Sequence, residues 1–212
     1  MAAFDQEYFD RAYAGAYRER NPLRKLRYYL REIRRVRPLG SLLDIGCAYG
    51  LFLAEARKYY TVTGADVSAA VVAEARKTLP GTEILQAGLE SLPADRQYTV
   101  VTCFDVLEHV EDLDGAFGKL RGLLKEGGII ALTVPVYDTP AGALVRLLDR
   151  DETHRWKKGR RFWREKLAHH GFSLLVNHGL WRYSLFGRFY LFWGGRLWRG
   201  FSPAILLIGE KA

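Results

Sequence analysis

Leu42-Leu43-Asp44-Ile45-Gly46-Cys47-Ala48-Tyr49-Gly50, with Asp66 sixteen residues beyond the second glycine, is the stretch on which the fold turns. Leu42 to Ile45 is a short apolar run with one acid, the pattern of a buried strand, and Gly46 ends it. Gly46 and Gly50 let the backbone pass close to a ligand where a side chain would stand in the way. Leu51 to Tyr59 continues as a helix, and its first-turn amides suit a carboxylate as well as a phosphate. Asp44 adds an acceptor for an ammonium group. A tight bend with a purely structural job has the same sequence requirements.

The next strand, Val62 to Ala65, ends at Asp66. In a strand–helix–strand unit that position offers a carboxylate to both hydroxyls of a ribose. The spacing alone does not choose between NAD and S-adenosylmethionine, but the turn lacks Gly-Lys-Ser or Gly-Lys-Thr and so does not grip a triphosphate. Further on, Ser68 to Leu79 reads as a helix capped by the Ser68 hydroxyl. Ile84–Ala87 and Tyr98–Phe104 read as strands, and Leu113–Leu124 as a helix broken by Gly127-Gly128. Ile129–Val134 then reads as another strand. Strands alternating with helices of this length build a largely parallel sheet covered on both faces, with ligands outside the carboxyl ends of the strands. Tyr137 falls just past one such end.

The chain has 212 residues, 49% of them hydrophobic, which suits one core and a single domain over 1–212. Residues 22–36 read as a basic amphipathic helix with Leu23, Leu26, Leu30 and Ile33 on its apolar stripe, so 1–40 is expected to form a helical cover. Arg160–His170 reads as a helix, Phe172–Val176 as a strand and Pro203–Gly209 as a terminal strand. The net charge of +8 is uneven: residues 1–40 and 146–200 are basic and 41–145 acidic, a pattern that gathers anionic partners if the flanks meet. Cys47 and Cys103 lack a Cys-x-x-Cys partner, which fits a reducing, cytoplasmic setting without disulfides, and no metal-ligand spacing stands out. No basic stretch followed by an apolar run opens the chain and no 18-residue apolar span follows, so a conventional spanning helix is not expected, while the aromatic segment from Leu180 to Phe201 suits lying on a membrane better than crossing one.

Five motifs in order give the chain its resemblance to the class I S-adenosylmethionine-dependent methyltransferases, in the small-molecule branch that includes quinone-biosynthetic enzymes. They are the turn at Asp44–Gly50, Asp66, Leu89-Glu90-Ser91-Leu92-Pro93, Asp105-Val106-Leu107-Glu108-His109-Val110 and Leu124-Lys125-Glu126-Gly127-Gly128. The resemblance covers 41 to about 135 and reaches Phe172 more loosely. It implies an α/β, Rossmann-like sandwich with a mainly parallel seven-stranded sheet and an antiparallel terminal strand. Residues 41–135 would then be the cofactor core and 136–212 the substrate-side part. The cofactor would be S-adenosyl-L-methionine, surrounded by Asp44, Gly46, Cys47, Ala48, Gly50, Asp66, Val67, Gly88, Leu89, Glu90, Asp105 and Val106. Three positions depart from the family's habit. Ala48 stands for a glycine, tolerable with a right-handed backbone; Gly88 stands where an acid often meets the adenine amine; and Thr99 replaces an acid at the start of the fourth strand.

Methyl transfer from a sulfonium requires alignment, exclusion of water and at most one base. His109 and His154 are the candidate bases, each with a bracing role as its alternative. Tyr137, His154, Arg155, Trp181 and Tyr183 are expected on the acceptor side. Residues 180–201 interleave aromatic rings with Arg182, Arg188, Arg196 and Arg199, suggesting a cap over a lipophilic or anionic small molecule. The same rings would serve a folded core, a homodimer surface or a lipid interface. Nucleic-acid binding is the less favoured partner class, for want of a recognition motif. Hydride transfer with NAD and cofactor binding without turnover are the other functional readings.

Overall fold

A computed structural model describes residues 17–148, 153–185 and 189–212, through the backbone alone at 148, 183–185 and 189. Arg188 lies outside the described residues, as does the Tyr183 side chain. The strands are β1 (Gly40–Ile45), β2 (Tyr60–Asp66), β3 (Glu83–Gln86), β4 (Tyr98–Phe104), β5 (Leu124–Pro135), β6 (Phe172–Leu185), β7 (Phe189–Gly195) and β8 (Ala204–Lys211). The helices are α1 (Tyr17–Arg20), α2 (Leu23–Val36), α3 (Leu51–Ala56), α4 (Ala69–Thr78), α5 (Leu113–Gly122), α6 (Pro140–Leu148) and α7 (Arg160–His169).

The strands form one sheet in the order β3-β2-β1-β4-β5-β8-β6-β7. β1 to β5 pair in parallel, while β8 runs antiparallel to both β5 and β6. This is the expected α/β sandwich with one strand more. β6 continues to Leu185, past the expected end at Val176, and β7 folds back along it with Trp181 opposite Trp193. Much of the 180–201 segment is therefore sheet edge. Because β1 lies between β2 and β4, the strand order reverses at its carboxyl end, and a crevice opens there.

Alternation along the central strands divides the interior into two layers. Leu43, Val101 and Ile130 face α5 and α7, with Phe117, Leu120, Trp163 and Leu167 packed against them. Leu42, Val100 and Ile129 face α2, α3 and α4 through Tyr29, Ile33, Phe52, Leu53 and Val72. In α2 the buried stripe is Leu26, Tyr29, Leu30 and Ile33, whereas Leu23 is 51% exposed. The helix faces the sheet through positions 26, 29, 30 and 33, and Leu23 is its first residue. Among the described residues, no helix is long and apolar enough to cross a membrane.

Candidate functional site

The turn after β1 is stitched to the end of β2, since the amides of Gly46 and Cys47 both donate to the Ala65 carbonyl at 2.8 and 3.0 Å. Gly46 and Gly50 have φ of 75° and 72°, left-handed values that glycine adopts without strain. A Cβ at Gly46 would stand 2.4 Å from Val106 Cγ2, and one at Gly50 would stand 2.5 Å from Leu79 Cδ1. The glycines thus make room first for the protein's own side chains. Ala48 departs from expectation: its φ is 45°, left-handed. The cause is visible in its amide, which is turned toward Asp66 Oδ2 at 2.9 Å. Cys47 is buried, and burial pushes its thiol far above the ordinary range, so no thiolate chemistry is available there.

Asp66 accepts the Ala48 amide on one oxygen and the Ser68 amide on the other, the latter at 3.0 Å. Ser68 begins α4, but its hydroxyl does not cap the helix and has no hydrogen-bond partner among the described residues. Burial raises the Asp66 pKa, opposed by the amides of Ser68, Ala48 and Val67. An ionised carboxylate has about four lone-pair sites, so beyond the bonds from its own backbone neighbours Asp66 keeps acceptor capacity for a ligand. Asp44 lies fully buried, with the Thr102 hydroxyl donating to its Oδ1 at 2.5 Å. Burial pushes its pKa up to about 7; the Thr102 hydrogen bond opposes this and Asp66 adds to it. A cation arriving beside Asp44 would compensate a carboxylate that its surroundings disfavour.

Farther along, Val67 is 49% exposed, and a Cβ at Gly88 would press on its Cγ1 at 3.0 Å. The Gly88 amide donates to Ser91 Oγ at 3.1 Å, which holds the Leu89–Ser91 turn, with Leu89 buried and Glu90 exposed. Thr99 braces the start of β4 by donating to the Ser41 carbonyl at 2.7 Å.

Past β4, Asp105 carries φ of 58°, and its amide donates to the Thr133 carbonyl at 2.9 Å. Its carboxylate takes a two-pronged ion pair from Arg182 of β6, with Nη2 to Oδ1 at 2.6 Å, and a hydrogen bond from the Thr133 hydroxyl at 3.0 Å. Arg182 was expected to await a substrate head group, and instead it is committed to Asp105. Burial pushes the Asp105 pKa up, but the charge and hydrogen bonds of Arg182, with Lys25 and Thr133, outweigh it and hold the carboxyl below its usual range. Lys25 and Tyr29 of α2 and Tyr190 of β7 complete this cluster; Tyr190 falls within the aromatic 180–201 segment, whereas the sequence reading missed Lys25 and Tyr29. The available signal was a lysine four residues before Tyr29, on the apolar stripe of its helix.

On the other side of the crevice, His109 and His154 come together with ring centroids 4.7 Å apart. Thr153 Oγ1 is 2.9 Å from His109 Nδ1, and the hydroxyl of buried Tyr137 is 3.4 Å from His154 Nδ1. The Glu108 carbonyl accepts the amides of Arg155 and Trp156 at 2.9 and 3.1 Å, which fixes the segment bearing His154. Ligand atoms of Glu108, His109 and His154 all lie within 4.8 Å of one another, a set able to hold a cation that sequence spacing did not reveal. The Arg155 side chain points outward, 3.9 Å from Glu111. Trp181 is half-buried with its ring 6.2 Å from that of Trp198, while Trp193 and Trp198 are exposed.

Comparison with known proteins fits this arrangement. The family model described as a methyltransferase domain matches residues 15–176. A trans-aconitate 2-methyltransferase of Acidovorax sp. (strain JS42) is 30% identical over 132 residues, 60% of this chain and 48% of that protein. A ubiquinone biosynthesis O-methyltransferase of Klebsiella pneumoniae (strain 342) is 39% identical over 96 residues, 42% of this chain and 39% of that protein. The chain therefore spans less than half the length of either relative. The N-methyltransferase NodS of Bradyrhizobium japonicum WM9, solved with S-adenosyl-L-homocysteine, shares the fold at a TM-score of 0.67 and 14% identity, covering 97% of both chains. With most of its length matched by the family model and its strand order laid out as above, the chain belongs to the methyltransferase-domain family.

Proposed function

We propose that the chain binds S-adenosylmethionine in the crevice at the carboxyl ends of β1, β2 and β4 and methylates a small molecule. The observation that carries this reading is Asp66. Its carboxylate is held rigid by two backbone amides yet has acceptor capacity left for a diol, directly behind a left-handed glycine turn. Asp44, buried and disfavoured as an anion, suits the cofactor's ammonium group. Gly46, Cys47, Ala48 and Gly50 supply the turn. Val67, Gly88, Leu89 and Glu90 would border the adenine, and Asp105 and Val106 the sulfur. When bound, the cofactor supplies an electrophilic methyl group on a positively charged sulfur.

The protein's part is then to align an acceptor, keep water out and take up a proton where the acceptor has one to lose. The proton of an acceptor oxygen or nitrogen would pass to an imidazole nitrogen of His109 or His154, which Thr153 and Tyr137 orient. Tyr137 is the acceptor-side group that meets this arrangement, with Trp181, Arg155 and Tyr183 as further candidates. The names of the curated relatives, both of enzymes acting on small molecules, support a small acceptor. A cytoplasmic location with peripheral membrane contact, or a homodimer, would draw on exposed Trp193, Leu197, Trp198 and Phe201. Oligomeric mass and vesicle sedimentation distinguish those two uses.

The direct test is isothermal titration with S-adenosylhomocysteine and, separately, NAD. Saturable binding of the former and at least about tenfold weaker binding to folded Asp66→Ala are expected, the loss of roughly one charge-assisted hydrogen bond. Binding of NAD alone, or equal affinity in the variant, would overturn the reading.

A further inference from the structure

Four cations from three elements gather around Tyr190. Arg182 of β6, Arg20 of α1 and Arg24 of α2 all bear electrostatically on its hydroxyl, and Lys25 Nζ lies 5.6 Å from its ring. Arg24 is fixed by donating to the Tyr190 carbonyl. Among the described residues, the carboxylate that bears on Tyr190, Asp105, is taken up by the two-pronged pair with Arg182. Lys25 is 6% exposed, and among the described residues its ammonium has one hydrogen bond, to the neutral amide oxygen of Asn21 at 3.1 Å. The ring of Tyr29 stands 6.0 Å away.

An ammonium group withdrawn from water carries a penalty of several kcal/mol unless an anion sits beside it. Here the Asp105 charge is already balanced by its two-pronged pair with Arg182, and among the described residues no other anion hydrogen-bonds the Lys25 ammonium. An apolar methylation chamber would place a leucine or methionine on this face of α2. A long cationic side chain buried over the carboxyl end of β4, where the acceptor must approach the cofactor's sulfur, answers a different demand.

We propose that Lys25, flanked by Tyr29 and Tyr190 and backed by the Asp105–Arg182 pair, binds an oxyanion of the methyl acceptor, so that the acceptor is an anionic small molecule carrying a carboxylate or phosphate. The inference rests on the proposed methyltransferase function and names the substrate class for it. Lys25 is poised for the role: burial first, and then the charge of Arg182, lower its pKa to about 8, with Asp105 opposing. An arriving anion would restore the charged form and bind most tightly where the amine is protonated.

The experiment is a pH titration by NMR of protein labelled with 13C-lysine, the Lys25 signal being assigned by its disappearance in Lys25→Met. Benzoate, phenyl phosphate and neutral benzamide are the probes, each added with and without saturating S-adenosylhomocysteine. Lys25 of the free protein is expected to titrate near 8. Benzoate or phenyl phosphate should raise the midpoint by about one unit, which corresponds to a tenfold preference for the ammonium form. Benzamide should leave it in place, and the larger of the two anion shifts identifies carboxylate or phosphate. Lys25→Arg should keep anion binding while Lys25→Met loses it. A midpoint that neither anion moves, one that benzamide moves equally, or a free-protein midpoint above about 10, the ordinary lysine value, would overturn the proposal. Failure of S-adenosylhomocysteine to bind would strike the cofactor reading instead, and the titrations without it still decide the anion site.

Discussion

The Ala48 amide donates to Asp66 Oδ2 at 2.9 Å only because Ala48 holds a left-handed φ of 45°. A non-glycine residue in that region costs about 1–2 kcal/mol, and here the cost secures the orientation of the carboxylate proposed to meet the ribose. Ala48→Gly should therefore keep the hydrogen bond while shedding the strain, offset by the greater freedom of glycine in the unfolded chain, about 0.4–1 kcal/mol. A net gain of up to about 1 kcal/mol is expected in urea denaturation, with S-adenosylhomocysteine affinity retained. A clear loss of stability would show that the methyl group of Ala48 contributes packing that outweighs its backbone strain.

Gly46 and Val106 interlock, so a side chain at position 46 meets Val106 at 2.4 Å before it meets any ligand. Gly46→Ala combines that clash with a left-handed φ and should cost about 1–3 kcal/mol in stability as well as weakening cofactor binding. The double variant Gly46→Ala/Val106→Ala relieves the contact and should recover part of the loss by thermal unfolding. No recovery would leave backbone strain as the whole effect. Cys47→Ala, by contrast, should retain cofactor binding, because burial keeps the thiol protonated and unreactive.

Asp44 is expected to weaken the unliganded fold above mildly acidic pH. An unfolded aspartate loses its proton near about 3.9, while burial keeps the folded carboxyl protonated to about 7. Between these values the folded chain binds the extra proton, so stability falls as pH rises from about 4 to about 7, and the full cost persists above that. Asp44→Asn removes the ionisation while its amide oxygen can still accept from Thr102. It should raise stability at pH 8 by an amount on the order of 2–4 kcal/mol and lower S-adenosylhomocysteine affinity. The test is a series of chemical denaturation curves from pH 4 to 8. A constant difference between variant and wild type across that range would refute the assignment of the titrating group.

The turn and strand end proposed to hold the cofactor were legible as local structure because their requirements are local. A left-handed turn needs glycine, a strand end needs its acid, and both fall within one strand–helix–strand unit from Leu42 to Asp66. The rest of the site depends on contacts distant in sequence. β6 was cut short at Val176 because Asn177, His178 and Gly179 interrupt its apolar alternation and a register shift falls between Leu174 and Val176. With the strand shortened, Arg182 was left in a supposed cap instead of opposite Asp105. α6 went unseen although Pro140 is a favourable first-turn residue, since its Leu144 and Leu147 are exposed and leave no clean buried stripe. Likewise, pairing His109 with His154 requires the chain to return from β5 through Tyr137, a path that no spacing encodes.

The ion pair between Arg182 and Asp105 ties the loop after β4 to the far side of the sheet, and it should behave as a coupled unit. Both partners are largely withdrawn from solvent, with side chains 16% and 30% exposed. Arg182→Met leaves the Asp105 carboxylate in a buried site with the Thr133 hydroxyl and Lys25 as its remaining support, and a loss of about 3 kcal/mol at pH 7 is expected. In the wild type the Asp105 pKa is held below its usual range, so the pair's contribution is present above the unfolded aspartate pKa of about 3.9 and fades as pH drops through the lower folded value. The deficit of Arg182→Met should therefore be large near neutrality and shrink in acid. Asp105→Asn keeps a residue type that tolerates the φ of 58° at this position, so the variant reports on charge more than on backbone. Combining it with Arg182→Met removes the stranded carboxylate, and the double variant should be more stable than Arg182→Met alone, with a coupling of about 1–3 kcal/mol between the two positions. Strict additivity of the two losses in a double-mutant cycle at pH 7 would mean that Asp105 is positioned by Thr133 and its own backbone, and that Arg182 contributes to the sheet edge independently of it.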